Sequence, residues 1–242
     1  MIRHELHSAE RVSLITLDRP ERRNALDLAH WLELESTVRK AAGAGARAIV
    51  ITGAGSTFCA GGDLNEPAVE EMAQQLENAF ATIREVSIPV IAHVNGPAAG
   101  GGAQLAVSCD LRVASPAGRF GIPAAAISLP VNPGTIRRLV ALAGSGAARS
   151  MLLGGDWVSA DRAYTLGMVD RIGELEDALG WATEIAGFAP MLLAYFKEHL
   201  QVGNPADDAG YAARLHSILA SEDHAESVRS RAERRPPRYL GR

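Results

Sequence analysis

The chain has 242 residues, 47% of them hydrophobic and 21% charged, a mixture that suits one globular unit with a sizeable core. Its formal net charge of -4 gives no electrostatic reason to expect nucleic acid or an anionic membrane as partner. No apolar run approaches the length of a membrane span, and Met1-Ile-Arg-His-Glu5 lacks a signal-peptide pattern.

Val12-Ser-Leu-Ile-Thr-Leu17 partly alternates and predicts a strand, paired with Ile2 to Leu6. Asp18 to Asn24 is a turn-rich loop bearing three arginines. Asp27 can cap a helix that presents Leu28, Trp31, Leu32, Leu34 and Val38 and stops at Gly43. Ala48-Ile-Val-Ile-Thr52 is a continuous apolar run and predicts a central strand covered on both faces. Strand, helix and strand in this order argue for an α/β fold. Gly53-Ala-Gly-Ser-Thr-Phe-Cys-Ala-Gly-Gly-Asp-Leu64 follows. It lacks the Lys-Ser/Thr pair of a phosphate loop and fits no dinucleotide fingerprint, so it reads as a loop whose backbone can approach a ligand. A helix is predicted from Ala68 to Glu85, and Pro89 announces the next strand.

Val90 to Val94 reads as a buried strand, broken by Asn95, Gly96 and Pro97. Gly100, Gly101 and Gly102 then lead into a helical pattern from Ala103 to Ser108. A strand, a glycine-lined turn and a helix start gather backbone N–H groups in one concave spot, which suits an anion or a developing oxyanion. By themselves the glycines read more readily as tight packing. The two cysteines, Cys59 and Cys109, have no metal spacing and lie in apolar or Gly/Ala-rich surroundings, which predicts a reduced, cytoplasmic protein. Beyond Gly134 helices are expected at Gly146–Leu153, Ala160–Leu166, Glu176–Phe188 and from Pro190 to about Val202. Val169 to Ile172 suggests a small strand. A long last helix, Asp208 to Ser230, places Tyr211, Leu215, Ile218 and Leu219 on its apolar side. The basic end, Arg229 to Arg242, reads as a solvated tail.

Arg19-Pro-Glu-Arg-Arg-Asn-Ala-Leu26, Ile51-Thr-Gly-Ala-Gly55 with Phe58-Cys-Ala-Gly-Gly-Asp-Leu64, and Asn95-Gly-Pro-Ala-Ala-Gly-Gly-Gly102 together resemble the crotonase, or enoyl-CoA hydratase/isomerase, superfamily. Phe120-Gly-Ile-Pro123 and Gly134 with Arg138-Leu139 continue the resemblance in the same order over nearly the whole chain. It implies the α/β crotonase (ClpP-like) spiral of repeated strand-strand-helix units. Residues 1–188 would form that core with the acyl-CoA site. Residues 189–242 would be a helical region and basic tail serving a homotrimer or a dimer of trimers. The tail then has a second reading, lying across a neighbouring subunit near a CoA phosphate. No cofactor is implied beyond the acyl-CoA or enoyl-CoA thioester itself, which serves as ligand or substrate. The thioester carbonyl is expected to meet the backbone N–H groups of Gly62 and Gly101, with CoA along Arg22 and Arg23, Ala60, Gly61, Asp63 and Leu64. Asn132 sits where some relatives place an acid.

Two positions depart from the pattern. The glutamates that activate water and deliver its proton in hydratases fall here on Gln104 and Ala124. Glutamine cannot accept and return a proton near neutral pH, and alanine has no polar group at all. Losing one acid–base group typically lowers the rate about 10²- to 10⁴-fold. No substitute stands out: His93 reads as packing, Asn132 is an amide, Asp63 reads as a cap, Asp110 is structural, and nothing aims Glu66 at the thioester. The apolar stretch Ala124 to Pro130 suits an acyl chain, or is simply a turn packed by small residues. In these respects the chain is similar to the short actinobacterial crotonase paralogues that lack the glutamate pair. Three functions compete: an acyl-CoA carrier in lipid metabolism, a working hydratase or isomerase with another acid or base, and a scaffold acting through its surface.

Overall fold

The strand β1 (Ile2–His7) pairs antiparallel with β2 (Val12–Leu17), and α1 (Leu28–Gly43) then leads to β3 (Ala48–Gly53). Next come α2 (Val69–Glu85), β4 (Val90–Val94), β5 (Pro97–Ala99), α3 (Gly101–Ser108), β6 (Leu111–Ala114) and β7 (Arg119–Gly121). A 3-10 turn at Pro123–Ile127 precedes α4 (Pro133–Arg149), β8 (Val158–Ser159), α5 (Ala160–Thr165) and β9 (Arg171–Ile172). The helices α6 (Leu175–Ala186), α7 (Pro190–His199) and α8 (Glu222–Ala232) follow. These elements belong to a computed structural model that describes residues 1–7, 9, 11–63, 68–200 and 215–242.

The main sheet has the order β1-β2-β3-β4-β6-β9, parallel from β2 onward. A second layer has the order β5-β7-β8 and is extended by parallel bridges between Cys59 and Ala98 and between Leu26 and Gly62. Three times a main-sheet strand is followed by a short second-layer segment and a helix: β3 with Cys59–Gly62 and α2, β4 with β5 and α3, β6 with β7 and α4. This is the strand-strand-helix spiral that the motifs implied.

Every residue of β3 is buried, because the strand is covered on both faces. Ile49 and Ile51 join the core that contains Trp31, Leu34 and Phe80 of α1 and α2, while Ala48 and Val50 pack with Ala178, Ala182 and Ile185 of α6. Each fully buried aliphatic side chain contributes about 2 kcal/mol, which is why so short a strand reads as an unbroken apolar run. Asp27 caps α1 by accepting from the His30 N–H at 3.0 Å. Leu32, expected on the apolar face, is 49% exposed.

Two asparagines tie together the loops above the strand ends. Asn24, fully buried, donates from Nδ2 to the carbonyls of Ala54 (2.9 Å) and Thr57 (2.7 Å), and its Oδ1 accepts from the Arg19 N–H. Asn95 donates to the carbonyls of Gly53 (2.9 Å) and Gly55 (2.8 Å). Lys197 of α7 is also buried, donating to the carbonyls of Ile83 and Ile88 and pairing with Asp110 at 2.7 Å.

The C-terminal expectations need correction. The expected helix from Asp208 to Ser230 is broken at Ser221, which caps α8 by accepting from the His224 N–H; Tyr211 lies outside the described residues. Leu215 and Leu219 are exposed. Nor is the basic end a free tail. Glu226, buried on α8, takes Arg235 and Arg229, whose hydrogen bonds hold its carboxyl well below the usual range. Asp223 accepts from the Leu240 and Gly241 N–H groups, and Arg47 donates to the Tyr239 carbonyl at 2.7 Å. The helix expected at Gly146–Leu153 is present: a kink at Gly144, where φ is 77°, separates it from the first part of α4, and it continues as a π-helical turn over Ser150–Gly154.

Replacing Asn24 with alanine removes the buried amide that holds the carbonyls of Ala54, Thr57 and Phe58. The expected result is a loss of about 3 kcal/mol in unfolding free energy, read as a lower midpoint in urea.

Candidate functional site

The site begins where two glycine-bearing turns meet back to back. Gly61 (φ 98°) and Gly100 (φ 52°) adopt backbone angles that favour glycine. A Cβ at Gly61 would lie 2.8 Å from the Ala99 carbonyl oxygen and 2.9 Å from the Gly101 nitrogen, and one at Gly102 only 2.1 Å from the Cys59 carbonyl oxygen. Side chains there would force the two backbones apart. Gly62 and Gly101 are different: the closest atoms a Cβ would meet are the side-chain ends of Met72 (2.7 Å) and Leu76 (2.9 Å), with the Gly61 and Gly62 backbone at an ordinary 3.4 Å from a Cβ of Gly101.

Both Gly62 and Gly101 line one cavity of about 980 Å³. Among the described residues neither N–H donates a hydrogen bond, whereas Asp63 N–H donates to the Leu26 carbonyl and Gly100 N–H to that of Gly121. Gly101 is the first residue of α3, where a helix leaves its N–H groups unpaired and its dipole positive. Two unpartnered N–H donors on one cavity wall are the kind of group that can receive a ligand oxygen.

The walls are mostly apolar: Met72 and Leu76 from α2, Ala124 and Ile127 from the 3-10 turn, then Leu129 and Val131. Gln104, one turn into α3 and 8% exposed, also lines the cavity, and its carboxamide has no partner among the described residues. Ala124 is half-buried on the opposite wall, so the two positions that depart from the pattern face one space. Asn132 is an exposed cavity residue whose side chain caps α4, accepting from the Gly134 N–H at 2.7 Å. Glu77 carries no signal of its own within the helix expected from Ala68 to Glu85. Glu77 is half-buried on the cavity wall, and burial pushes its carboxyl above the usual range while Arg84 pulls the other way.

The loop carrying Arg22 and Arg23 runs beside the first glycine turn. Ala60 N–H donates to the Arg23 carbonyl (3.0 Å), and Leu26 N–H to that of Gly61 (2.9 Å). Both arginines are exposed and neither lines the cavity. Of the predicted loop residues, Ala60 reaches the cavity, while Gly61 and Asp63 do not; Leu64 and Glu66 lie outside the described residues. Asp63 is buried and pairs with Arg19 at 3.1 Å, and Arg19 also donates to the Ala25 carbonyl. This ion pair latches the loop to the glycine turn.

His93 is remote from this arrangement. It shares the α6 side of β4 with Ile91, is 2% exposed, and contacts Thr52 Oγ1 through Nδ1 at 2.9 Å. Burial pushes its pKa down. Asp110 pairs with Lys197 and accepts from the Val90 N–H, a structural role. Cys59 and Cys109 are buried, free thiols pushed up to about 12 by burial.

A spiral of strand-strand-helix units with two paired glycine N–H groups defines a crotonase-fold protein. The enoyl-CoA hydratase/isomerase family model matches residues 7–242, and the chain belongs to that family. It is 41% identical over 236 residues to the probable enoyl-CoA hydratase echA6 of Mycobacterium tuberculosis, covering 96% of this chain and 97% of that protein. It is 35% identical over 246 residues to the 2,3-dehydroadipyl-CoA hydratase of Escherichia coli, covering 96% of each. Among solved structures, the enoyl-CoA hydratase of Bacillus anthracis superposes with a TM-score of 0.91 at 28% identity, over 100% of this chain and 99% of that one. Among the described residues, no single helix is long and apolar enough to cross a membrane.

The glycine contacts predict a contrast between adjacent positions. Gly102→Ala, whose methyl meets the Cys59 backbone, should lower unfolding free energy by at least about 2 kcal/mol. Gly101→Ala lies in a helix against a movable Leu76 side chain and should change it by less than about 1 kcal/mol. Paired denaturation curves check both.

Proposed function

We propose that this protein binds acyl-CoA thioesters with the carbonyl oxygen between the N–H groups of Gly62 and Gly101, and that its hydratase chemistry is weak or lost. The supporting observation is the pair of unspent backbone donors on one apolar-walled cavity, faced by Gln104 and Ala124 in place of acid–base groups. The cavity volume lies at the upper end of the roughly 300–1,000 Å³ common for small-molecule sites, with room for an acyl chain. Hydration needs a water activated on one side and a proton delivered to the α-carbon, and an oxyanion site moves no proton. A carrier role in lipid metabolism follows from retention without turnover. In the assembled protein, residues 1–188 hold the site, the Arg22–Arg23 loop offers charge to CoA phosphates, and residues 189–242 carry contacts within a homotrimer or dimer of trimers. Exposed Phe196 and Leu200, in and after α7, support the last point.

Calorimetry with saturated acyl-CoA of graded chain length tests the binding. Association is expected to strengthen with chain length, and Gly62→Val or Gly101→Val should weaken it at least about tenfold, roughly 1.4 kcal/mol. No binding of any acyl-CoA up to about 1 mM would refute the proposal. For the chemistry, crotonyl-CoA hydration by the wild type should sit near background, and Gln104→Glu with Ala124→Glu should raise it. Robust wild-type hydration would instead favour the enzyme reading.

A further inference from the structure

The cavity is not devoid of proton chemistry. Among the described residues its titratable groups are Glu70, Glu71 and Glu77, all on α2. Glu70 and Glu71 are exposed, so water screens them. Glu77 is half-buried and forms no hydrogen bond or ion pair among the described residues. It follows Ala73 and Gln74 by four and three residues, which puts all three on one helical stripe along the cavity. Its neighbour Leu76 lies 2.9 Å from where a Cβ of Gly101 would stand, so this turn of α2 packs beside one of the two N–H donors. The other walls, α3 and residues 123–133, contribute no titratable group to the cavity, only the amides of Gln104 and Asn132. Arg84, two turns further along α2, is the cation acting on Glu77. A half-buried carboxyl on a ligand cavity, with no hydrogen-bond partner among the described residues, is suited to acid–base work.

We propose that Glu77 is the acid–base group of this site, removing a proton from the α-carbon of the bound thioester and returning it. This rests on the thioester-binding reading above. The α-C–H bond breaks and its proton passes to the Glu77 carboxylate. The bonding pair forms the double bond between the α-carbon and C1, and the carbonyl π pair moves onto oxygen, between Gly62 and Gly101. Reversal re-forms the C–H bond and regenerates the carboxylate, so no oxidant, reductant or second acid is consumed. One carboxyl suffices for this exchange, where hydration needs two groups.

Incubating the full-length protein with hexanoyl-CoA in D2O, with mass spectrometry of the recovered thioester, tests the idea. The wild type is expected to incorporate deuterium at the α-carbon. The rate should rise with pH through a midpoint above that of a free glutamate, about 4.3, because the carboxylate is the active form and burial raises its pKa. Glu77→Gln should lower exchange at least about 100-fold, and Glu77→Asp, which keeps a carboxyl and covers the case of a poorly folding Gln variant, should retain part of it. Hexanoyl-CoA affinity, read by calorimetry, should stay within about threefold in both variants. Undiminished exchange in Glu77→Gln, or no exchange by a wild type that binds hexanoyl-CoA, would overturn the proposal. Absence of binding in the calorimeter would overturn the reading beneath it as well.

Discussion

Two stretches of backbone, Cys59–Gly62 and Ala99–Gly102, approach so closely that no side chain fits between them. The Cys59 carbonyl accepts from the Ala99 N–H, and the space a Cβ of Gly102 would need is already occupied by the Cys59 backbone. The contact joins successive turns of the spiral, precedes the start of α3 and brings Gly62 and Gly101 to the wall of one cavity. Glycine is required here by contact as much as by dihedral angle: the positive φ values fall on Gly61 and Gly100, one residue before each donor. Asn24, Asn95 and the Arg19–Asp63 pair hold the surrounding loops in register with that contact. Strands buried on both faces leave these loops as the place where polar backbone must find partners.

Electrostatically the cavity is unbalanced. Two backbone N–H groups without partners among the described residues, those of Gly62 and Gly101, lie on its wall, and positions 104 and 124 carry an amide and a methyl group. Glu77 is the half-buried carboxyl of the cavity wall, on α2, where burial pushes its pKa up against the pull of Arg84.

The sequence made the strands and the glycine turns legible because both rest on local rules. Val12–Leu17 and Val90–Val94 have the bounds the sequence predicts, the first because it partly alternates, the second because a short apolar run lies between Pro89 and Asn95. Gly62 and Gly101 were legible through motif order, and the cavity brings them together. Three features were not legible. Glu77 has no distinguishing signal within the helix expected from Ala68 to Glu85, because its place on the cavity wall is set by tertiary packing. The basic tail looked free because its partners, Glu226, Asp223 and Arg47, are set by tertiary contact. The break at Ser221 was hidden because a serine within a helical pattern signals a cap only when a neighbouring segment ends there.

The central claim is that two backbone donors polarise a bound thioester carbonyl. Isotope-edited infrared difference spectroscopy of acyl-CoA labelled with carbon-13 at C1 tests it most directly. The bound carbonyl stretch should fall well below that of the same thioester in water, and the displacement should diminish in Gly101→Val under saturating ligand. A bound carbonyl that absorbs at the free position, or an undiminished displacement in that variant, would contradict the account.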